Sequence, residues 1–219
     1  MAQSDENYFA TYCRLDHKSA DATCKVSSGS VFIGRELSFE REDYIDERGK
    51  ERCRGIVSNH LGKVVGYLPE ICARRVCDLA QDGWIVRMAP WALMFDSADK
   101  SYYVEAAVIA YEPQHAPALD AFAEGCFDRM GNGERPDIRL SPKQLEAALN
   151  NPDFYKTIKT VGRPKAKKGE AYYKDSRSAA EKMAVEGSRN NPGCWVGTVL
   201  FYVVLIAIVA GIVWFFFVR

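Results

Sequence analysis

The chain has 219 residues, of which 47% are hydrophobic and 26% are charged, and its 29 basic and 29 acidic side chains cancel. A chain of this size and balance has room for one ordinary domain with appendages, and it is not a broadly basic nucleic-acid-binding protein. Its seven cysteines include no CxxC pair, which argues against a zinc ribbon and a disulfide framework and is typical of a reducing cytoplasm.

The first part of the chain predicts a lead-in followed by strands. Residues 1–22 are polar and lack the basic and apolar regions of a signal peptide, so we expect a mobile N-terminal segment. Residues 59–62 predict a hairpin turn, and the dense charge of residues 40–54 predicts an exposed loop. Short apolar or alternating segments predict four strands, at residues 31–33, 37–39, 55–58 and 64–68.

One helix interrupts the predicted strands. Pro69 predicts its start, and Asp82 and Gly83 predict its end, with apolar residues at helical spacing between them. Residues 84–88 and 102–111 predict two further strands. This order predicts a mainly β fold with α, namely a small, partly open β-barrel with one packed helix, over residues 23–113.

A different pattern follows the predicted barrel, and residues 114–162 predict a short helical spacer. Residues 117–130 predict one helix of it. Ser141 as N-cap, Pro142 at the first position and Gln144 in a capping box predict a second helix, and a third would begin at Asn151. Two short helices joined by an abrupt turn leave a helix-turn-helix interpretation open, although their thin apolar faces favour a spacer.

Charge and hydropathy change sharply towards the C-terminus. Residues 1–140 have 17 Lys/Arg against 23 Asp/Glu, whereas residues 141–219 have 12 against 6. Residues 196–218 contain no charge, Asn, Gln, Pro or His. At about 1.5 Å of rise per residue this run spans roughly 34 Å, which predicts a single transmembrane helix. Because residues 163–195 form a basic juxtamembrane segment, the positive-inside rule predicts a tail-anchored, single-pass membrane protein with most of its chain in the cytoplasm.

The basic segment has a second interpretation. Residues 162–168, Gly-Arg-Pro-Lys-Ala-Lys-Lys, resemble an AT-hook, a short segment whose Gly-Arg-Pro lies in the minor groove of A·T-rich DNA. The resemblance implies minor-groove contacts, and the alternative is contact with anionic lipid headgroups at the membrane. Either contact would be made by four side chains: Arg163, Lys165, Lys167 and Lys168.

No pattern of an enzyme is present in the sequence. The motifs GxxxxGK[ST], HExxH, GxSxG and GxGxxG are missing, and His17, His60 and His115 match no metal-ligand spacing. We therefore expect a non-enzymatic protein with no catalytic residue, no metal and no cofactor.

The most informative motifs lie between Lys25 and Tyr111. Residues 37–42 supply a strand and an Arg-Glu pair, residues 43–46 a loop with the sequence Asp-Tyr-Ile-Asp, and residues 62–69 a Gly-x-x-x-Gly-Tyr-Leu-Pro turn into the helix. Together they resemble the HIRAN domain, an accessory module of DNA-repair helicases and translocases that also stands alone in bacterial proteins.

The resemblance implies a site that grips the 3′ end of single-stranded DNA. Such a site uses aromatic rings to stack bases, cations to bind phosphate and a carboxylate to accept the terminal hydroxyl. The positions that match this nucleic-acid site are Lys25, Tyr44, Asp46, Tyr67 and Trp91. The leading hypothesis is thus a membrane-tethered HIRAN-like module that binds nucleic acid, with single-stranded 3′ ends as its expected ligand.

The alternative hypothesis is a protein- or lipid-interaction adaptor at the cytoplasmic face of a membrane, with no nucleic-acid binding. Three features favour it: the acidic N-terminal domain, Val26 at the position of an aromatic stacker, and Glu70 at the position of a phosphate-binding lysine.

Overall fold

A computed structural model describes residues 7–17, 31–98 and 100–173. Three sequence-based expectations therefore lie outside the described residues: Lys25 in the binding site, Val26 at the stacker position and the apolar run 196–218. Of the helices that the structure describes, none has both the length and the apolar character needed to cross a membrane.

Two antiparallel sheets form the framework of the described residues. The four-stranded sheet has the order β1-β6-β5-β7, and the three-stranded sheet has the order β2-β3-β4. The strands are β1 (Tyr8–Arg14), β2 (Ser38–Ile45), β3 (Glu51–Ser58), β4 (Val64–Tyr67), β5 (Ile85–Asp96), β6 (Ser101–Tyr111) and β7 (Glu170–Tyr173).

Three α-helices pack on these sheets: α1 (Glu70–Gln81), α2 (Ala116–Gly131) and α3 (Pro142–Asn150). Local sequence explains where they begin. Pro69 precedes α1 in an extended conformation, and Ser141 and Gln144 form the capping box predicted for α3. The third predicted helix is only a single 3₁₀ turn at Phe154–Lys156.

The predicted mainly β fold with helices is confirmed, but its strands form two open sheets, and the described residues contain no closed barrel. The sheets approach each other at two places, through the isolated bridges Asp16↔Tyr67 and Leu37↔Met88. Each place is a single bridged pair: Asp16 lies just beyond the end of β1, and Leu37 lies just before the start of β2.

Two stretches predicted as irregular are strands. The prediction of a mobile segment over residues 1–22 is wrong for β1, which pairs along its whole length with β6 and buries Tyr8, Phe9 and Ala10. The loop predicted over residues 40–54 is instead the β2–β3 hairpin, in full register from Ser38↔Ser58 to Ile45↔Glu51.

Two apolar cores lie on opposite faces of the four-stranded sheet. One contains Phe122 and Phe127 of α2 and Ile138, and the other packs α1 between the sheets through Val57, Val76 and Val108. Because β6 is covered on both faces, its apolar run is continuous. The region predicted as a spacer is therefore part of the packed fold, as is β7, which pairs with β5 although it falls within the predicted juxtamembrane segment.

Candidate ligand-binding groove

A groove of about 920 Å³ lies between the β2–β3 hairpin, the end of β4 and the first three turns of α1. It brings together residues that are as much as 62 positions apart, from Asp16 to Asp78. Ten charged side chains line it. The basic ones are Arg41, Arg52, Arg54 and Arg74. The acidic ones are Asp16, Asp43, Asp46, Glu51, Glu70 and Asp78.

Asp46 organises the turn at the tip of the hairpin. One carboxylate oxygen accepts hydrogen bonds of 2.9 Å from the N–H groups of Arg48 and Lys50, and the other accepts one of 3.1 Å from Arg52 Nε. The bond from the Lys50 N–H, followed by that from Arg52, lowers the pKa of Asp46 below its ordinary value. The Asp46 carboxylate is consequently ionised and held in place at the mouth of the groove.

Two tyrosine rings flank one arginine in the groove. The guanidinium of Arg54 lies 5.7 Å from the ring centroid of Tyr44 and 4.9 Å from that of Tyr67, within the range of cation–π attraction. The two rings differ in access, because Tyr44 is 44% exposed whereas Tyr67 is 7% exposed. Tyr44 therefore offers a free aromatic face, and Tyr67 forms part of the floor.

Every arginine of the groove has an acidic partner. Arg41 pairs with Asp43 at 2.9 Å, and Arg54 pairs with Glu42. Glu70 lies 3.6 Å from both Arg52 and Arg74, so one carboxylate bridges a strand and a helix. The hydrogen bonds to Asp43 and Asp46 raise the pKa values of Arg41 and Arg52, respectively. With six acids against four arginines, the lining carries a net negative charge.

The structure groups only part of the predicted nucleic-acid site. Tyr44, Asp46 and Tyr67 line the same groove. Trp91 does not, because it is 3% exposed in the core beneath α2, where its Nε1 donates a 2.8 Å hydrogen bond to Glu105. Tyr12 and Tyr172 make T-shaped contacts with Trp91, and the Arg135 guanidinium lies over its ring at 5.1 Å, so the fold itself surrounds the ring.

The second predicted contact set lies away from the groove. Residues 162–169 are all exposed and precede β7. Arg163 donates a 3.2 Å hydrogen bond to the carbonyl of Gly133, and the Pro164 carbonyl accepts one of 2.7 Å from the Tyr172 hydroxyl. Among the described residues, Lys165, Lys167 and Lys168 form no side-chain ion pair or hydrogen bond.

Sequence reasoning missed the four arginines of the groove. All but Arg74 lie in the hairpin that was predicted to be a loop, and the alternation of Arg52 and Arg54 is the one signal of a strand in this stretch. The described residues contain no group of three or more His, Cys, Asp and Glu that could hold a metal ion.

Comparison of the chain with protein-family models, curated proteins and solved structures gives no match in any of the three.

Proposed function

We propose that this protein is a non-enzymatic, membrane-tethered module of the HIRAN type whose groove binds the end of a single nucleic-acid strand. The observation that carries the proposal is the exposed ring of Tyr44 beside the Arg54 guanidinium and the ionised Asp46 carboxylate at the mouth of one groove. Aromatic ring, cation and carboxylate are the three kinds of group that recognition of a strand end requires.

The chemistry of the groove limits how much of a strand it holds. A terminal base stacks on Tyr44, and its phosphate takes over the ion pairs that Arg41 and Arg52 now make with Asp43 and Glu70. The net negative lining opposes a long run of phosphates, so the groove accepts one or two nucleotides. The terminal hydroxyl donates to Asp46 Oδ2, which accepts one hydrogen bond, from Arg52 Nε, and has room for a second.

The strand arrangement supports a partly open barrel as the underlying fold. The isolated bridges Asp16↔Tyr67 and Leu37↔Met88 link the two open sheets at two places, one just after β1 and one just before β2. Tyr67 takes part in one of these bridges and also lines the groove, so the groove lies where the sheets meet.

The apolar run 196–218 supports the membrane tether in the same proposal. Residues 163–195 then lie next to the cytoplasmic headgroups, and the exposed Arg163, Lys165, Lys167 and Lys168 contact anionic lipid there. A basic segment on this side of the run also orients the groove towards the cytoplasm.

Binding of labelled oligonucleotides to the full chain in detergent tests the proposal. We expect a single strand with a free 3′ hydroxyl to bind, and a 3′-phosphorylated strand to bind more weakly because the acidic mouth repels the added charge. Tyr44→Ala removes stacking that contributes about 1–3 kcal/mol, so affinity should fall by roughly fivefold or more.

The matched control is Tyr44→Phe, which keeps the ring and should keep the affinity. Equal and negligible binding of strands with free and blocked ends would refute nucleic-acid recognition. If Tyr44→Ala binds the strand as tightly as the unsubstituted chain does, the binding site lies outside the groove.

A second candidate function, a protein-interaction adaptor, is favoured by the acidic excess of the groove and by two exposed apolar residues beside it. Ile45 is 71% exposed and Ile71 is 91% exposed. A partner segment with a basic side chain and an adjacent apolar side chain matches this surface. Co-purification from detergent after nuclease treatment separates the two functions, because only a protein partner survives the nuclease.

A further inference from the structure

Strand β2 ends the three-stranded sheet with one edge unpaired among the described residues. It pairs with β3, and the residue before it, Leu37, reaches β5 through the single bridge to Met88. With eight residues, β2 is the longest of the four strands that end the two described sheets, and it has neither a proline nor a bulge. Such an edge is a template for pairing with a further strand.

The hairpin turn determines which backbone groups lie along this edge. The N–H of Asp46 points towards β3, because it donates a 2.9 Å hydrogen bond to the Lys50 carbonyl. Successive residues of an antiparallel strand point their backbone groups alternately to the two sides. The 2.8 Å bond from the Leu37 N–H to the Met88 carbonyl agrees with this alternation, since it leads away from β3. Four residues of β2 therefore point their backbone groups outwards: Phe39, Arg41, Asp43 and Ile45.

The side chains of these four residues match a second copy of the same strand in antiparallel orientation. When Glu42 faces its own copy, Arg41 lies opposite Asp43 and Phe39 lies opposite Ile45. Two-fold symmetry makes each pair twice, so the seam contains two pairs of opposite charge and two apolar pairs. The second copy also covers Ile45, which is 71% exposed in the single chain.

Neighbouring alignments lack this match. A slip by one residue brings backbone groups that point towards β3 to the seam, where they cannot bond to the second copy. A slip by two residues places Arg41 opposite its own copy in one direction and Asp43 opposite its own copy in the other. Like charges directly opposite each other are destabilising, so the sequence of β2 specifies one register.

The charges nearest the symmetry axis have partners within each chain. Glu42 pairs with Arg54, which offsets the repulsion between the two Glu42 carboxylates. Arg41 pairs with Asp43 of its own strand at 2.9 Å, and the second copy turns the two pairs into a ring of four alternating charges. Helix α1 packs mainly against β3, so it leaves the outer edge of β2 accessible.

We propose that the outer edge of β2 is a dimer interface, at which two copies of this chain join their three-stranded sheets into one antiparallel sheet of six strands. The outward backbone groups supply the hydrogen bonds, and the facing side chains fix the register. Arg41, Asp43 and Ile45 also line the groove, so the dimer brings two grooves together at the seam. The interface does not depend on nucleic-acid binding, and it is tested without an oligonucleotide.

Reversal of one charge in β2 tests the interface. Arg41→Asp sets two carboxylates opposite each other, and Asp43→Arg does the same with two guanidinium groups. In sedimentation velocity of the full chain in detergent, we expect a dimer for the unsubstituted chain and a dissociation constant higher by about tenfold or more for either variant. An equal mixture of the two variants should restore the dimer, because every carboxylate then faces a guanidinium. Restoration also shows that both variants fold.

Cysteine cross-linking tests the register. Glu42→Cys places two thiols on the axis at a non-hydrogen-bonded pair, where a Cα separation of about 4.5 Å suits a disulfide. Mild oxidation should therefore give a covalent dimer on a non-reducing gel. Glu40→Cys is the matched control, because Glu40 lies opposite Tyr44 of the second copy. It should give no more covalent dimer than the unsubstituted chain with its native cysteines.

Four results would overturn the proposal. They are an unsubstituted chain that is monomeric, a dimer that both charge variants leave intact, charge variants that fail to pair when mixed, and equal cross-linking at positions 40 and 42.

Discussion

Trp91 shows at the scale of one residue how burial decides the role of an aromatic side chain. Its ring fits the pattern of a base-stacking residue in the sequence, but in the fold it packs against Tyr12 and Tyr172 and donates its indole N–H to Glu105. Stacking a base requires a free face, which Tyr44 has and Trp91 lacks. Trp91 is therefore a structural residue of the first core.

Replacing Trp91 by Phe separates the structural role from a binding role. The substitution keeps most of the apolar contact but leaves the partly buried Glu105 carboxylate without its donor, which should lower the free energy of unfolding by about 1–3 kcal/mol. Chemical unfolding of the full chain in detergent, followed by circular dichroism, measures this loss.

Trp84→Phe is the matched control, because the indole N–H of Trp84 forms no hydrogen bond among the described residues. It should change the free energy of unfolding less than Trp91→Phe does. A Trp91→Phe protein with unchanged stability but weaker oligonucleotide binding would contradict the structural role.

Elements with local signals in the sequence were predicted well, and those that depend on distant partners were not. Pro69 and the Asp82-Gly83 pair bound α1 within the sequence itself, as Ser141 and Gln144 begin α3. β1 is a strand because it pairs with β6, about 100 residues later, and no local pattern shows that partner.

The β2–β3 hairpin was missed for a different reason. Strand β2 has no buried residue, so it lacks the apolar alternation by which strands are predicted. With the hairpin missed, the groove arginines Arg41, Arg52 and Arg54 were missed as well. The same limit applies to Trp91, since its aromatic neighbours Tyr12 and Tyr172 lie in two stretches that were predicted as a mobile N-terminal segment and a juxtamembrane segment.

Helix α2 contains a glycine whose replacement tests its packing. In an exposed helix, Gly→Ala stabilises by about 1 kcal/mol, but a Cβ at Gly125 would lie only 2.3 Å from Cγ of the Tyr155 ring. Arg129 donates a 2.6 Å hydrogen bond to the Tyr155 carbonyl, so the ring has little freedom to withdraw. Overpacking costs about 1–3 kcal/mol, and Gly125→Ala should therefore lower the free energy of unfolding.

A double-mutant cycle identifies the cause. In a Tyr155→Ala background the clash is gone, and Gly125→Ala should then stabilise the protein through helix propensity. If Gly125→Ala destabilises both backgrounds equally, the ring of Tyr155 is not what excludes a side chain at Gly125.

At the scale of the whole molecule, ionised carboxylates connect elements that are distant in the sequence. Glu170 of β7 accepts a 2.8 Å hydrogen bond from Arg14 of β1, 156 positions away. Glu134 accepts one of 3.3 Å from the Thr160 hydroxyl, 26 positions away, and one of 2.7 Å from the nearby Arg129 of α2. Burial opposes ionisation of Glu170, but bonds from the Lys167 N–H, Tyr103 and Arg14 lower its pKa overall. The hydrogen bond from Arg129 lowers the pKa of Glu134. In the same way, the hydrogen bond from the Lys50 N–H in the hairpin turn lowers the pKa of Asp46.

These lowered pKa values predict a loss of stability in acid. The unfolded chain takes up protons on these carboxylates at a higher pH than the folded chain does. The stability that they contribute is therefore fully present above their pKa in the unfolded chain, which is about 4, and it is lost as the pH falls through their lower pKa in the folded chain. Thermal unfolding of the full chain in detergent should show a falling midpoint between about pH 5 and pH 3. Glu170→Gln should lower the midpoint at neutral pH and flatten its decline in acid. Glu146→Gln, at an exposed position with no ion pair among the described residues, should do neither. A decline that is equally steep in all three proteins would show that Glu170 does not tie together β1 and β7, the outer strands of the four-stranded sheet.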